Sequence, residues 1–409
     1  MLPRKRSASY LETGVASSSR LAASRAAVGP LPRSPPSSPP HPARGRARAR
    51  RRGPEVLPTD LEGTPGGQLA EAMGPLRRSS VTARTLRLYL LAYNAFALWA
   101  ATERRALSPA ARLDAALQAW LDLQLAAKVN FSMVQRYLSA VLFFRPEVGR
   151  GQQARLPLAA QAMRGFKRLA PNASRLGIPY EVMAMIVMLA MAQGLPDIAL
   201  LVWLSFEMYY RPAEALGLRC VDLVPPVATS SSATQWSVTL RPYEAGQPSK
   251  TREFDQSLAL DLERQRDLGP SLERRLRARL GPGWRRRYAA AAARGDEVPP
   301  LFAVNQKDVN TFFRDAARRF GLGRIGVTTL YQLRHGGASF DVVSQARSLD
   351  GIRRRGRWRS WGSMRRYKKG PRLAEVLSQL EAPVLAHALR SAKCFSDVVA
   401  GRRRPLAAP

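Results

Sequence analysis

The stretch EVMAMIVMLAMAQGLPDIALLVWLSFEMYY, from Glu181 to Tyr210, decides how the chain is read. It is the most apolar part of the sequence, yet Gln193, Gly194, Pro196 and Asp197 interrupt it before it reaches the roughly 18 apolar residues a membrane span requires. It therefore predicts two buried helices in the core of a soluble domain, not a membrane anchor. Tyr209 and Tyr210 close the run, and Arg211-Pro212-Ala213-Glu214 follow at once. Proline suits the first turn of a new helix, and Glu214 lies three residues from Arg211, so a short helix is expected to start there with the pair on one side.

Working outward, TQWSVTLRPY and KTREFDQSL alternate apolar and polar residues and predict an antiparallel hairpin carrying Lys250. LALDLERQRDLGPSLERRLRARLGPGW returns to helical spacing, and a further helix follows Asn305 and ends near Arg319. TTLYQLRHGGASFDVVSQ and SWGSMRRYKK predict further helical pieces, the first presenting Tyr331 and Arg334 three residues apart. Between Arg353 and Lys369 there are nine basic residues and no acidic one, with Trp358 and Tyr367 in the same stretch. On the N-terminal side, TARTLRLYLLAYNAFALWAA spaces Leu86, Leu90, Asn94, Phe96 and Trp99 near a helical period, with Ser80 or Thr82 as caps. Helices follow after Ser108-Pro109, in NFSMVQRYLSAVLFF and from Leu156. The expected organisation is a disordered basic tail over 1–79 and a helical domain over 80–170. A linker over 171–177, a second domain over 178–385 and a C-terminal tail over 386–409 complete it. The fold class is mainly α with a small antiparallel β-sheet, built as a two-domain clamp.

Charge points to the partner. Of 409 residues, 65 are Lys or Arg and 30 are Asp or Glu, a formal charge of +35, which argues for a polyanion and for nucleic acid first. Two cysteines, Cys220 and Cys394, cannot build a disulfide framework, and three scattered histidines argue against a His-ligated metal. No cofactor and no metal site are expected, and neither is a small-molecule substrate. Arg4-Lys5-Arg6 and Arg50-Arg51-Arg52 read either as nuclear-import signals or as a solvated basic tail, and an Arg/Ser-rich, acid-poor start also fits an organelle transit peptide.

Taken one at a time, these residues are ordinary: a helix-surface ion pair, a hairpin lysine, packing tryptophans, one of 11 tyrosines. Taken in order, the region from about Ile178 to Lys369 resembles the tyrosine recombinases, the phage-integrase family of DNA strand-exchange enzymes. Arg211 with Glu214, Lys250 on the hairpin, Arg334, Trp358 and Tyr367 nine residues later match that family's motifs. The helices over 80–170 resemble its core-binding domain only as a pattern. The resemblance implies cleavage and rejoining of DNA through a 3′-phosphotyrosyl intermediate, without metal or ATP. It implies Tyr367 as nucleophile, Arg211 and Arg334 on the phosphate, Trp358 as an indole donor and Lys250 as the acid for the departing 5′ oxygen. Arg365, Arg366 and Lys368 are expected to favour the Tyr367 phenolate, and Glu214 to hold Arg211 in place. It further implies double-stranded DNA bound by a homotetramer on two duplexes. The C-terminal helix would dock either on a neighbouring protomer or on its own domain.

Two departures stand out. Tyr331 occupies the place of the family's histidine, with no other histidine close enough in sequence to substitute, and phenol is a poorer base than imidazole at neutral pH. Tyr209 replaces a glycine two positions before Arg211, a milder change on sequence grounds. Alternatives are a catalytically impaired recombinase derivative that grips DNA without cutting it, and an enzyme like the type IB topoisomerases. The basic, Pro-rich tail suits a eukaryotic mobile element and a nuclear location, with an organelle or a bacterial-type cytoplasm as alternatives.

Overall fold

Helices dominate because apolar residues recur at helical spacing almost throughout. The computed structural model describes residues 61–149, 155–172, 176–229, 233–240, 253–327, 329–364, 367 and 370–407. Lys250, Arg365, Arg366, Lys368 and the basic runs Arg4–Arg6 and Arg50–Arg52 lie outside these residues, so the expectations resting on them do too. All described residues belong to one unit, Arg46–Pro409.

The first six helices are α1 (Pro65–Glu71), α2 (Pro75–Arg78), α3 (Ala83–Thr102), α4 (Ala110–Ala126), α5 (Phe131–Phe144) and α6 (Pro157–Leu169). All but α2, which buries no residue, share one core built around Leu90, Phe96, Leu113, Leu117, Val134 and Phe166. Thr82 caps α3 by accepting from the Thr85 N–H at 3.2 Å, and Asn130 caps α5 through Met133 at 3.0 Å. Helix α4 starts at Ala110, so Pro109 sits at its cap and not at its first helical position. Buried Asp114 on α4 accepts the backbone N–H groups of Leu158 and Ala159, both at 2.9 Å, and so closes the start of α6.

The described part of this core also takes in residues before residue 80. The stretch 61–79 holds two short helices, and Leu61, Ala70 and Met73 are buried in the core. The reason is a polar clasp: the Gly66 N–H donates to Asn94 Oδ1 at 2.6 Å, and Asn94 Nδ2 donates to Thr64 Oγ1 at 2.9 Å. A Cβ at Gly66 would lie 2.7 Å from that Asn94 oxygen, so a glycine lets α1 approach α3.

The second core begins at Ile178. Helices α7 (Tyr180–Ala192) and α8 (Pro196–Glu207) are buried on nearly all sides, as expected for helices apolar all round. The short α9 (Pro212–Ala215) follows. Three strands come next, β1 (Leu223–Val224), β2 (Ser237–Leu240) and β3 (Gln256–Ala259), in an antiparallel sheet of order β1-β2-β3. Val238 faces Leu258 across the β2–β3 pair, and these strands flank the segment that holds Lys250. Then come α10 (Leu268–Leu280), α11 (Trp284–Arg294), α12 (Gln306–Arg319) and α13 (Tyr331–Val343). The chain ends through α14 (Leu349–Arg355), α15 (Trp361–Met364), α16 (Gly370–Ser378) and α17 (Ala382–Val399).

Helix α17 crosses the expected boundary at 385/386 without a break and packs on α7 and α8 of its own domain. Phe395 meets Trp203 edge-on with ring centroids 4.9 Å apart, and Val384, Ala388 and Val398 join the same core. Among the described residues, no helix is long and apolar enough to cross a membrane.

Candidate active site

The site forms where α8 ends and α13 begins, and close approach of the two depends on glycine. A Cβ at Gly337 would lie 2.0 Å from the carbonyl oxygen of Phe206, and one at Gly336 would lie 2.1 Å from that of Ile178. Without side chains there, α13 abuts α8 and delivers Arg334 to the turn that carries Tyr209, Tyr210 and Arg211.

Arg211 stands at the N-cap of α9. Its backbone N–H donates to Glu214 Oε2 at 2.8 Å, and its guanidinium donates to Glu214 Oε1. The buried Glu214 carboxylate also accepts from Arg357 Nη2 at 2.6 Å, and Arg334 Nη1 lies 4.0 Å away. Burial by itself would raise the Glu214 carboxyl. The charge of Arg357, the Arg211 N–H and the charges of Arg211 and Arg334 outweigh it and hold the group below the usual carboxylate range. Three guanidinium groups thus share one carboxylate, leaving excess positive charge at a partly desolvated spot.

The three arginines differ in reach. The side chain of Arg211 is 22% exposed, against 1% for Arg334 and 4% for Arg357. Arg334 donates to the main-chain carbonyls of Tyr209 and Gly356 and stacks on Trp358, its Cζ 4.8 Å from the ring centroid. Burial, then the neighbouring charges of Arg211 and Arg357, pull its pKa down to about 10, and it remains a cation at neutral pH. Gly356 has a steric role here as well, because a Cβ on it would lie 2.0 Å from the Trp358 ring.

Tyr367 is buried against this cluster. Its ring centroid lies 4.2 Å from that of Trp358 and 5.2 Å from that of His335, whose ring is tilted only 24° from it. Burial raises the Tyr367 phenol above its ordinary value; the charge of Arg334 opposes this, Tyr331 adds to it, and hydrogen bonding by Arg334 and Trp358 lowers it again. Tyr331 opens α13 with its ring 5.3 Å from His335. The structure therefore brings Arg211, Glu214, Arg334, Trp358, Tyr331 and Tyr367 into one neighbourhood.

Two residues at the site escape the sequence reading, as does the weight of a third, Tyr209. His335 lies one helical turn after Tyr331, on the same face, and stacks on Tyr367; a histidine is close enough after all, and the i, i+4 spacing in YQLRH was its signal. Arg357 binds Glu214 more closely than does Arg334, but a run of basic residues hides it. Tyr209 is not a mild replacement: its φ is +49°, in the left-handed region that favours glycine. Its ring stacks on Trp358 with centroids 6.1 Å apart, and its hydroxyl donates to Asp341.

No family model matches this sequence, and no curated protein matches it either. Among solved structures, the chain is similar to the XerH site-specific recombinase bound to palindromic difH substrate in a post-cleavage complex. That likeness has 14% identity, covers 77% of this chain and 84% of the other, and has a TM-score of 0.49. It is also similar to XerH bound to difH in a pre-cleavage complex, with 13% identity, the same coverage and a TM-score of 0.44. A likeness to XerA recombinase has 15% identity, covers 77% of this chain and 96% of the other, and has a TM-score of 0.32.

Proposed function

We propose that this chain is a DNA strand-exchange enzyme of the tyrosine-recombinase type, with Tyr367 as nucleophile. The observation that carries the reading is the contact of Tyr367 with Trp358 and Arg334, beside a cluster in which three guanidiniums share the Glu214 carboxylate. A phosphodiester is the anion such a cluster suits, because planar guanidiniums can donate to two phosphate oxygens at once.

In the reaction, the Tyr367 oxygen attacks phosphorus, a phenol–phosphorus bond forms, and the bond to the 5′ oxygen breaks. The phenolic proton leaves to a neighbouring base, and the 5′ oxygen takes a proton from an acid, the role given to Lys250. The resulting 3′-phosphotyrosyl bond keeps the energy of the broken ester, so rejoining needs no ATP. Arg211, the more exposed guanidinium, reaches the non-bridging oxygens, where transition-state charge collects. Arg334 and Trp358 act on the Tyr367 side. Double-stranded DNA is the substrate, gripped by the helical domain and the second domain as a clamp, with four protomers on two duplexes. The basic tail addresses the chain to a nucleus.

One observation favours a second reading, a protein that grips DNA without cutting it. Both ends of the Arg334 guanidinium are engaged by main-chain carbonyls. A suicide-substrate assay separates the two. Duplexes selected from a randomised pool by binding to the protein are nicked, incubated with it, denatured and resolved on a gel. A protein–DNA adduct present in wild type and lost in Tyr367→Phe supports strand exchange. Selective binding with no adduct supports the second reading.

A further inference from the structure

We infer that Tyr209 is a positioning residue for this site, tying Arg334 and Trp358 together through its carbonyl, its ring and its hydroxyl. The inference rests on the strand-exchange reading for its purpose, but its geometry stands by itself. Tyr209 is fully buried and sits in the left-handed region, which a side-chain-bearing residue adopts rarely and a glycine freely. A glycine could supply the same turn and the same carbonyl. It could supply neither of the other two contacts.

Each contact has a distinct target. The Tyr209 carbonyl accepts from Arg334 Nη1, and Arg357 Nη2 lies 3.5 Å from the same oxygen. The ring lies nearly parallel to Trp358, inclined by 20°, and Trp358 in turn meets Tyr367. The hydroxyl donates to Asp341 Oδ2, on the same helix as Arg334 and two turns further along. Asp341 is itself fixed, accepting from Arg264 Nη2 and from Arg347 Nε at 3.1 Å. Tyr209 therefore grips α13 at two points and supports Trp358 with the ring between them. Burial, with the charge of Asp341, keeps its phenol protonated well above neutral pH, so the donor persists. Because Arg211 follows two residues later, the same grip sets where the exposed arginine starts.

Two variants and two readouts test this. Tyr209→Gly keeps the carbonyl and suits the backbone, and Tyr209→Phe keeps the ring but removes the hydroxyl. The first readout is the ionisation of Tyr367, followed by NMR of protein carrying 13Cζ-tyrosine, with Tyr367→Phe to assign the signal. Among the described residues, the charged and titratable groups around that phenol are Arg334, Tyr331 and His335 from α13, with the Trp358 indole beside it. Burial raises the phenol while Arg334 and Trp358 lower it. Tyr209→Phe, which keeps the ring and the burial, should therefore move its titration upward as Arg334 loosens. In Tyr209→Gly the opened cluster hydrates the phenol and shifts the titration downward against that rise. The second readout is single-turnover cleavage, expected to fall about a hundredfold in Tyr209→Gly and about tenfold in Tyr209→Phe, with duplex affinity unchanged. A merely structural role would lower the active fraction and leave the titration where it was. An unmoved Tyr367 titration in Tyr209→Phe overturns the inference. The NMR readout needs no cleavage, so a wild-type chain that forms no adduct counts against the proposed reaction and not against Tyr209.

Discussion

Arg357 Nη2 donates to the buried Glu214 carboxylate at 2.6 Å, while the guanidinium of Arg211 binds the other oxygen of the same group. One carboxylate therefore anchors both the α9 turn and the segment leading into Trp358. Removing its charge leaves the three guanidiniums of Arg211, Arg334 and Arg357 near one another with little solvent. Glu214→Gln is expected to lower the unfolding free energy by about 3 kcal/mol, read from urea denaturation, as for a buried pair stripped of one partner. A change below about 1 kcal/mol would mean that the cluster does not hold the site together.

The same carboxylate sets an acid limit. Its folded-state pKa is depressed, so its contribution is present above the unfolded value and is lost as pH falls through the folded one. Stability of the wild type should therefore decline more steeply below about pH 4 than that of Glu214→Gln. Parallel curves for the two proteins would contradict this.

Excess positive charge at the site should make it an anion receptor even without DNA. Burial and the charges of Arg211 and Arg357 work against the Arg334 cation, and an oxyanion beside them relieves that cost. Sulfate or vanadate is expected to raise the melting temperature saturably, by the equivalent of about 2.7 kcal/mol at a hundred times Kd. Arg211→Ala should lose this response. An equal rise in both proteins would reveal only a general salt effect.

Tyr367 is buried and its phenol is raised above the ordinary tyrosine value, so little phenolate exists at neutral pH. Single-turnover cleavage should accelerate as pH rises from about 7 to 9, because the attacking form grows with pH below the pKa. A flat rate over that range would indicate that Tyr367 ionisation does not limit the reaction.

Helix α17 belongs to the core that carries the site, since Phe395 packs on Trp203 and Tyr180. Phe395→Ala should cost about 3–5 kcal/mol, measured by thermal or chemical unfolding at several protein concentrations. A small loss combined with a concentration-dependent melting temperature would instead mark α17 as a segment exchanged between protomers.

Much of this arrangement is legible in the residues. YYRPAE specifies an ending helix, a turn and a proline-led start, and that is how Arg211 and Glu214 come to share a cap. The apolar run from Glu181 is two buried helices, as its breakers indicate. What stays hidden is set by tertiary contact. Tyr209 looks like a side-chain exchange in sequence, because nothing local states that its φ is positive. Arg357 is one basic residue in a run of nine until Glu214 selects it. His335 requires the helix phase of α13 to be known before its ring can be set against Tyr367. The helices over 65–78 are hidden by a Gly- and Pro-rich composition, and it is tertiary contact that fixes them: the Asn94 clasp on Gly66, burial of Ala70 and Met73, and the Arg77 guanidinium donating to the Phe143 carbonyl.

The most direct measurement is the identity of the residue bonded to DNA. A bound, nicked duplex that traps the covalent product is digested with nuclease and protease, and the modified peptide is sequenced by mass spectrometry. The expected product is a nucleotide joined through its 3′-phosphate to Tyr367, with none on Tyr331 or any other residue. An adduct on a different side chain, or no adduct on a substrate that the protein binds selectively, would contradict it.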